Sequence, residues 1–171
     1  MNELDIEWEN RIASALAAAK TSGRDDIADY LRLRSANDAV RREGIGWLTD
    51  SFIRLATSRE SESAGVAVER LDGHMFLLGR TNLTGILVEI KHGVRCIKVE
   101  AGWTRAPGDG IMRGGALALG RITHFGFPKS NAELALVRRE ESLVWTAMDE
   151  RSTVTRLDAD AIHRHFGLLT E

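Results

Sequence analysis

At 171 residues, with 43% hydrophobic and 28% charged residues, the chain is long enough to form one domain that buries its own core. Its one cysteine excludes an internal disulfide and a thiolate metal cluster, which favours a reducing, cytoplasmic setting. No apolar run approaches the roughly 20 residues of a membrane span, so we expect no membrane partner.

Charge is unevenly distributed along the sequence. The formal net charge is −2, yet residues 91–129 contain seven lysines and arginines against two acidic residues. A basic segment inside an acidic protein indicates either an anionic partner or a solvated sheet face, and the second is the commoner case. No motif of a nucleic-acid-binding fold accompanies these charges, so nucleic acid is a disfavoured partner.

Glycine content divides the chain into a helical part, residues 1–62, and a β-rich part, residues 65–171. Only three of the 16 glycines lie in the first 64 residues, whereas twelve lie between Gly65 and Gly126. Glycine is unfavourable inside helices and common in turns. We expect both parts to belong to a single compact domain.

Apolar residues at helical spacing predict three helices in the first part. The first ends near Gly23, the second spans residues 25–43 and stops at Gly44, and the third spans residues 45–59. The apolar positions change phase within residues 33–40, so the second helix is either kinked or broken there. Three short helices allow a DNA-reading helix-turn-helix, but their net negative charge disfavours it.

The pair Asp72-Gly73 is the first turn signal of the β-rich part. It is flanked by residues 66–71 and 74–78, which alternate as strands do, and Asp-Gly favours a two-residue turn. We therefore predict a hairpin here. Residues 79–84 connect it to a second hairpin, so four strands follow one another as a meander.

The second hairpin, residues 85–100, is the clearest element of the sequence. A two-residue turn at His92-Gly93 pairs Val88 with Ile97 and sorts apolar from polar residues. The predicted apolar face contains Ile86, Val88, Ile90, Ile97 and Val99. The opposite face contains Glu89, Lys91, Cys96 and Lys98.

A long glycine-rich loop, residues 102–115, follows the hairpin. It contains five glycines and Pro107 and shows no periodicity. Loops of more than about 12 residues are uncommon in compact domains and are usually functional or disordered. The strand that leaves the loop, residues 116–125, has Arg121 on one face and His124 on the other.

Residues 130–148 are ambiguous between a helix and a hairpin. Ser130 and Glu133 form a capping box, but a hairpin pairs Leu136 with Trp145 and agrees better with the β-branched and aromatic content. A short strand and a terminal helix capped by Asp158 then complete the chain.

Together these elements predict an α+β fold. Three N-terminal helices and a C-terminal helix pack on a largely antiparallel sheet of about seven strands, arranged as a β-hairpin meander.

The sequence contains no recognisable catalytic, metal-binding or cofactor-binding motif, so we predict no cofactor and no metal. His163 and His165 are two residues apart and point away from each other on a helix. Cys96 lies in mid-strand and is interpreted as a small filler. His124, at the end of its strand, is the one weak candidate for an acid or base.

Ligand-binding candidates are therefore chosen by their position on the loop and on the strand that follows it. Arginines on a glycine-rich loop can hold a carboxylate or a phosphate, and a tryptophan beside them supplies an apolar surface. These candidates are Trp103, Arg105, Arg113, Arg121 and His124.

Three functions are compatible with these features. The favoured one is a non-enzymatic binding or interaction module that contacts a protein or an anionic small molecule through loop 102–115 or a sheet edge, and that can form a homodimer. The alternative is an enzyme that acts on an anionic small molecule, with arginine clamps and His124 as acid or base. The weakest is nucleic-acid binding through Lys91, Arg95 and Lys98.

Overall fold

The computed structural model describes residues 3–140 and 142–170, except the side chains of Pro107, Arg113 and Thr170. Within this part of the chain, no helix combines the length and apolar content of a membrane span. The helices are α1 (Glu3–Thr21), α2 (Asp25–Ala56), α3 (Arg59–Ser63) and α4 (Ala159–Thr170). The strands are β1 (Ala67–Leu78), β2 (Thr81–His92), β3 (Arg95–Trp103), β4 (Ala118–Phe125), β5 (Ala132–Arg139), β6 (Ser142–Met148) and β7 (Val154–Arg156).

Helix α2 is longer than the sequence predicted. It continues through residues 33–40 and through Gly44, so the predicted stop at Gly44 is wrong and the predicted third helix is the C-terminal half of α2. A Cβ on Gly44 would lie 2.4 Å from Cδ2 of Leu136. Glycine is therefore used here for close helix packing and does not end the helix.

The chain divides into two compact units, residues 1–42 and 43–171. In the first unit, α1 and the first part of α2 are joined by polar contacts. Asp38 is buried and accepts hydrogen bonds from Trp8 Nε1 at 2.8 Å and from an Arg41 nitrogen at 2.6 Å. Glu9 pairs with Arg42 at 2.6 Å.

The second unit contains one antiparallel sheet of seven strands in the order β1 to β7. This confirms the predicted α+β class and the meander. The hairpin predicted within residues 130–148 is also confirmed, because β5 and β6 pair with Leu136 opposite Trp145.

The hairpin predicted at Asp72-Gly73 is wrong. Strand β1 passes through both residues and turns only at Gly79, and the pairing with β2 shifts between Asp72 and His74. Gly73 has a φ of 72°, the left-handed conformation that accommodates an extra residue in a bulge. Asp-Gly supplies that conformation to a β-bulge as readily as to a turn.

The second hairpin forms with a register two residues away from the predicted one. Val88 pairs with Val99 instead of Ile97, and the turn residues are Gly93 and Val94. A shift of two residues leaves every side chain on its face, so the predicted apolar and polar faces are both confirmed.

The two faces of the sheet differ in what covers them. The inner face includes Val88, Val99 and Ile122, which are fully buried in one core. That core also contains residues of α2 and α4, namely Ile45, Leu48, Phe52, Ala161, Ile162 and Leu169. The outer face bears the alternate residues of the same strands, including Glu89, Lys98, Glu100, Arg121 and Glu133.

Helix α4 is fixed at both ends by residues outside it. Asp158 Oδ1 accepts the Ala161 N–H at 2.9 Å, which confirms the predicted cap. At the other end, Arg95 donates to the carbonyl of Leu168 at 2.9 Å, and His92 Nδ1 lies 3.2 Å from the carbonyl oxygen of Leu169. A cationic donor such as Arg95 suits the negative end of a helix dipole.

Candidate functional site

A buried carboxylate organises the middle of the outer face. Glu100 on β3 accepts a hydrogen bond from Arg121 on β4, and its other oxygen lies 2.7 Å from Nε2 of His74. His74 pairs across the strands with Gly85, where an added Cβ would lie 1.9 Å from the Ala101 carbonyl oxygen, so the glycine allows close approach of the β3 backbone. Burial opposes ionisation of Glu100, but the hydrogen bonds from Arg121 and His74 outweigh it and lower the pKa of the carboxyl.

A second carboxylate farther along the same face is ion-paired with two lysines. Glu89 pairs with Lys91 at 2.5 Å and with Lys98 at 2.8 Å, and these hydrogen bonds lower the pKa of Glu89 to about 2. Arg95, the third basic residue of the nucleic-acid hypothesis, lies over the Phe127 ring at 4.9 Å. These cations all have partners within the protein, and nucleic-acid binding stays a prediction.

Trp103 and Arg105 meet where β3 enters the loop. Trp103 is 3% exposed, and the guanidinium carbon of Arg105 lies 3.7 Å from its ring centroid. A cation over an aromatic ring is a favourable contact in its own right. Arg105 therefore covers the tryptophan ring itself. The role of both residues in ligand binding stays a prediction.

His124 lies on the inner face and contacts a second histidine. Its Nε2 is 2.9 Å from Nδ1 of His165 on α4, and its backbone N–H donates to Asn131 Oδ1 at 2.7 Å. Burial lowers the pKa of His124. Burial also lowers the pKa of His165 to about 4, with the nearby His124 and Arg164 adding to the shift.

The structure therefore distributes the predicted binding residues over three places. Trp103 and Arg105 lie together at the start of the loop, Arg121 is on the outer face, and His124 is on the inner face. Arg121 and His124 cannot join in one site because they project from opposite sides of β4. The side chain of Arg113 lies outside the described part of the chain.

The glycine-rich loop is closed on itself in its first half and tied to the sheet in its second half. Asp109 Oδ2 accepts the backbone N–H groups of Arg105 and Ala106 at 2.9 and 2.8 Å, which closes the first half of the loop. In the second half, Thr81 Oγ1 donates to the carbonyl of Ile111 at 3.2 Å. Gly110 lies so near the turn between β1 and β2 that a Cβ would be 3.3 Å from the Arg80 carbonyl oxygen.

Between the loop and the outer face of β4 to β7 lies a cavity of about 680 Å³, which we call the loop cavity. Small-molecule pockets are typically about 300–1,000 Å³ and mostly apolar. The apolar lining residues are Leu78, Ile111, Leu119, Leu134, Ala135, Met148 and Val154. Thr81, Arg80 and Glu133 supply polar groups to the same cavity.

Sequence reasoning found the loop but not the surface beneath it. The usable signal was the alternation of residues 116–125, because Leu119 falls on the same face as the charged Arg121. A single apolar residue on a polar face is common on protein surfaces, so this signal was weak. Met148 and Val154 give no comparable signal, since only the folded meander brings them beside the loop.

Cys96 is poorly suited to act as a nucleophile. Burial raises the pKa of the Cys96 thiol, which disfavours the nucleophilic thiolate. Among residues 3–140 and 142–170, no three side chains of His, Cys, Asp or Glu are grouped so as to hold a metal ion.

The loop cavity and the histidine pair are the two features on which a functional proposal for this chain can rest. Fold alone does not determine function, so the assignment must come from these sites. No protein-family model, curated protein or solved structure matches the sequence.

Proposed function

We propose that this protein is a non-enzymatic binding module that holds an apolar small molecule in the loop cavity. The observation that carries the proposal is the cavity itself, about 680 Å³ between a tethered loop and the outer face of the sheet. Contiguous apolar surface marks a ligand or partner site, whereas single apolar residues scattered over a surface do not.

The loop is held in a position to cover a ligand. Its bond from Thr81 to the Ile111 carbonyl fixes the backbone, while the Ile111 side chain is 86% exposed. When an apolar ligand packs against this exposed isoleucine, the buried surface stabilises the complex by about 25 cal/mol per Å². The loop therefore serves as one wall of the site.

The lining indicates the kind of ligand. Leu119, Met148 and Val154 provide apolar surface from three strands, and methionine adapts readily to irregular shapes. Arg80 and Glu133 add one charge of each sign. The best ligand is a mainly apolar molecule with a single hydrogen-bonding or charged group, which these residues orient.

Titration with the neutral fluorescent probe N-phenyl-1-naphthylamine tests the proposal. We expect saturable binding to the wild-type protein and its loss in Ala135→Phe, because Ala135 lines the cavity on β5 and the added ring fills the space. Thr123→Phe is the matched control, since Thr123 is a half-buried outer-face residue of β4 that does not line the cavity.

Thermal melts of both variants verify that they fold. If a folded Ala135→Phe binds the probe as tightly as Thr123→Phe, the loop cavity is not the site. If wild-type protein shows no saturable binding, the proposed apolar ligand is wrong.

A further inference from the structure

A second cavity lies on the other side of the sheet, next to the histidine pair. It has a volume of about 340 Å³ and is lined by residues of β5 to β7, by the 3-10 turn at Pro128–Ser130 and by α4. His165 forms part of its wall, so we call it the His165 cavity. It shares no lining residue with the loop cavity.

Cationic groups border this cavity from two elements. Lys129 follows β4, Arg164 lies on α4, and both side chains are exposed. In the part of the chain that the structure describes, neither forms an ion pair with a carboxylate. Two unneutralised cations beside a cavity attract an anion.

The one acidic residue in the lining is directed toward its own turn. Asp149 Oδ1 accepts the backbone N–H groups of Arg151 and Thr153, each at 2.9 Å. These two bonds already stabilise its charge. Asp149 therefore offsets the cations only in part.

The neutral lining residues are rich in hydrogen-bond donors. Ser130, Thr153 and Thr155 contribute hydroxyl groups. Asn131 uses its carbonyl oxygen to accept the His124 N–H, which leaves its NH₂ group as a donor. A phosphate has three oxygens that accept several such bonds, more than a carboxylate does.

The histidine pair adds a group that responds to bound charge. Neutral rings share a single proton along the 2.9 Å contact between His124 Nε2 and His165 Nδ1. A bound anion would favour protonation of His165, since a protonated ring donates from both nitrogens. The groups that face His165 are then Lys129, Asp149, Arg164 and the ring of His124.

We propose that the His165 cavity binds a small phosphorylated molecule, with its phosphate group between Lys129 and Arg164 and beside His165. Binding takes up a proton at His165, so this residue's contribution to the affinity increases as the pH falls from the pKa of the ligand-bound ring toward the lower pKa of the free ring. The site is independent of the loop cavity and of any ligand bound there.

Calorimetric titration with inorganic phosphate and with phenyl phosphate tests this site, with acetate as the carboxylate comparison. We expect both phosphates to bind more tightly than acetate. Each of Lys129→Gln and Arg164→Gln should weaken phosphate binding by about tenfold or more, the usual cost of losing a charge-assisted hydrogen bond. Histidine ring NMR should show the pKa of His165 rising from about 4 when phosphate is added.

Arg54→Gln is the control, because Arg54 is an exposed cation on α2 that does not line the cavity. Melts without phosphate confirm that the variants fold. Equal phosphate affinity in Arg164→Gln, Lys129→Gln and Arg54→Gln would overturn the proposal. So would acetate binding as tightly as phosphate, or an unchanged titration of His165.

Discussion

The inner and outer faces of the sheet share every strand, yet they are covered by different chemistry. On the inner face, Val88, Val99 and Ile122 are fully buried against helical residues. On the outer face, Glu89 and Glu100 each pair with two cationic or imidazole groups, and the remaining surface is left for the loop cavity. The comparison teaches that most of the buried apolar core lies on one face, so substitutions on the outer face should cost the protein less stability.

The largest difference between the faces should appear at neighbouring residues of β4. Ile122→Ala removes a fully buried side chain and should lower the free energy of unfolding by about 2–5 kcal/mol. Thr123→Ala, on the outer face, should change it by about 0.5 kcal/mol or less. Urea denaturation of both variants measures the two values, and losses of similar size would contradict the asymmetry.

Lowering the pH should reduce the free energy of unfolding over two different ranges, one set by His165 on the inner face and one by Glu89 on the outer face. The pKa of His165, on the inner side, is lowered from 6.5 to about 4, so between these values the unfolded chain binds more protons than the folded protein. The contribution of His165 to the free energy of unfolding is therefore fully present above pH 6.5. It falls by on the order of 2 kcal/mol by pH 4, a figure reduced because the ring is partly exposed. Urea denaturation in phosphate-free buffer at several pH values should show this decline, and His165→Gln should flatten it.

Glu89 supplies the contrast from the outer face. Its pKa is lowered from 4.5 to about 2, so its contribution is complete above pH 4.5 and is lost as the pH falls toward 2. Glu89→Gln should therefore flatten the decline below pH 4.5 and leave the one above it intact. The idea of two ranges is wrong if His165→Gln and Glu89→Gln alter the same part of the curve.

The smallest expected effect concerns how closely α2 packs on the inner face. Gly44→Ala places a methyl group 2.4 Å from Leu136 Cδ2 and should destabilise the protein by about 1 kcal/mol, since a leucine side chain can partly move away. Gly46→Ala meets no atom within 4 Å and should stabilise the helix by about 0.5–1 kcal/mol. Opposite signs in thermal or urea melts support close packing, and stabilisation by both would contradict it.

Much of the inner face could be predicted from the sequence because strand alternation is a local property. The apolar set of residues 85–100 follows from spacing alone, and an error of two residues in register does not disturb it. Leu136 and Trp145 pair as predicted for the same reason. Local signals were sufficient wherever one face of an element had to be buried.

The candidate sites could not be predicted in the same way, since they depend on contacts between distant segments. Ile111 and Met148 approach only after the meander has formed, and His165 reaches His124 from the C-terminal helix. Gly44 and Asp72-Gly73 were misjudged because each can either end an element or fit inside one. Tertiary packing decides between these outcomes.

The bulge at Gly73 also determines which residues of β1 can take part in outer-face chemistry. Before it, Asp72 pairs with Ile86 of the inner face; after it, His74 pairs with Gly85 and projects outward to Glu100. One extra residue thus inverts the alternation for the rest of the strand. If residue 73 were instead paired as a regular strand residue, the alternation would continue unbroken, and His74 and Phe76 would exchange surroundings with Met75 and Leu77 although the sequence of the strand would be the same.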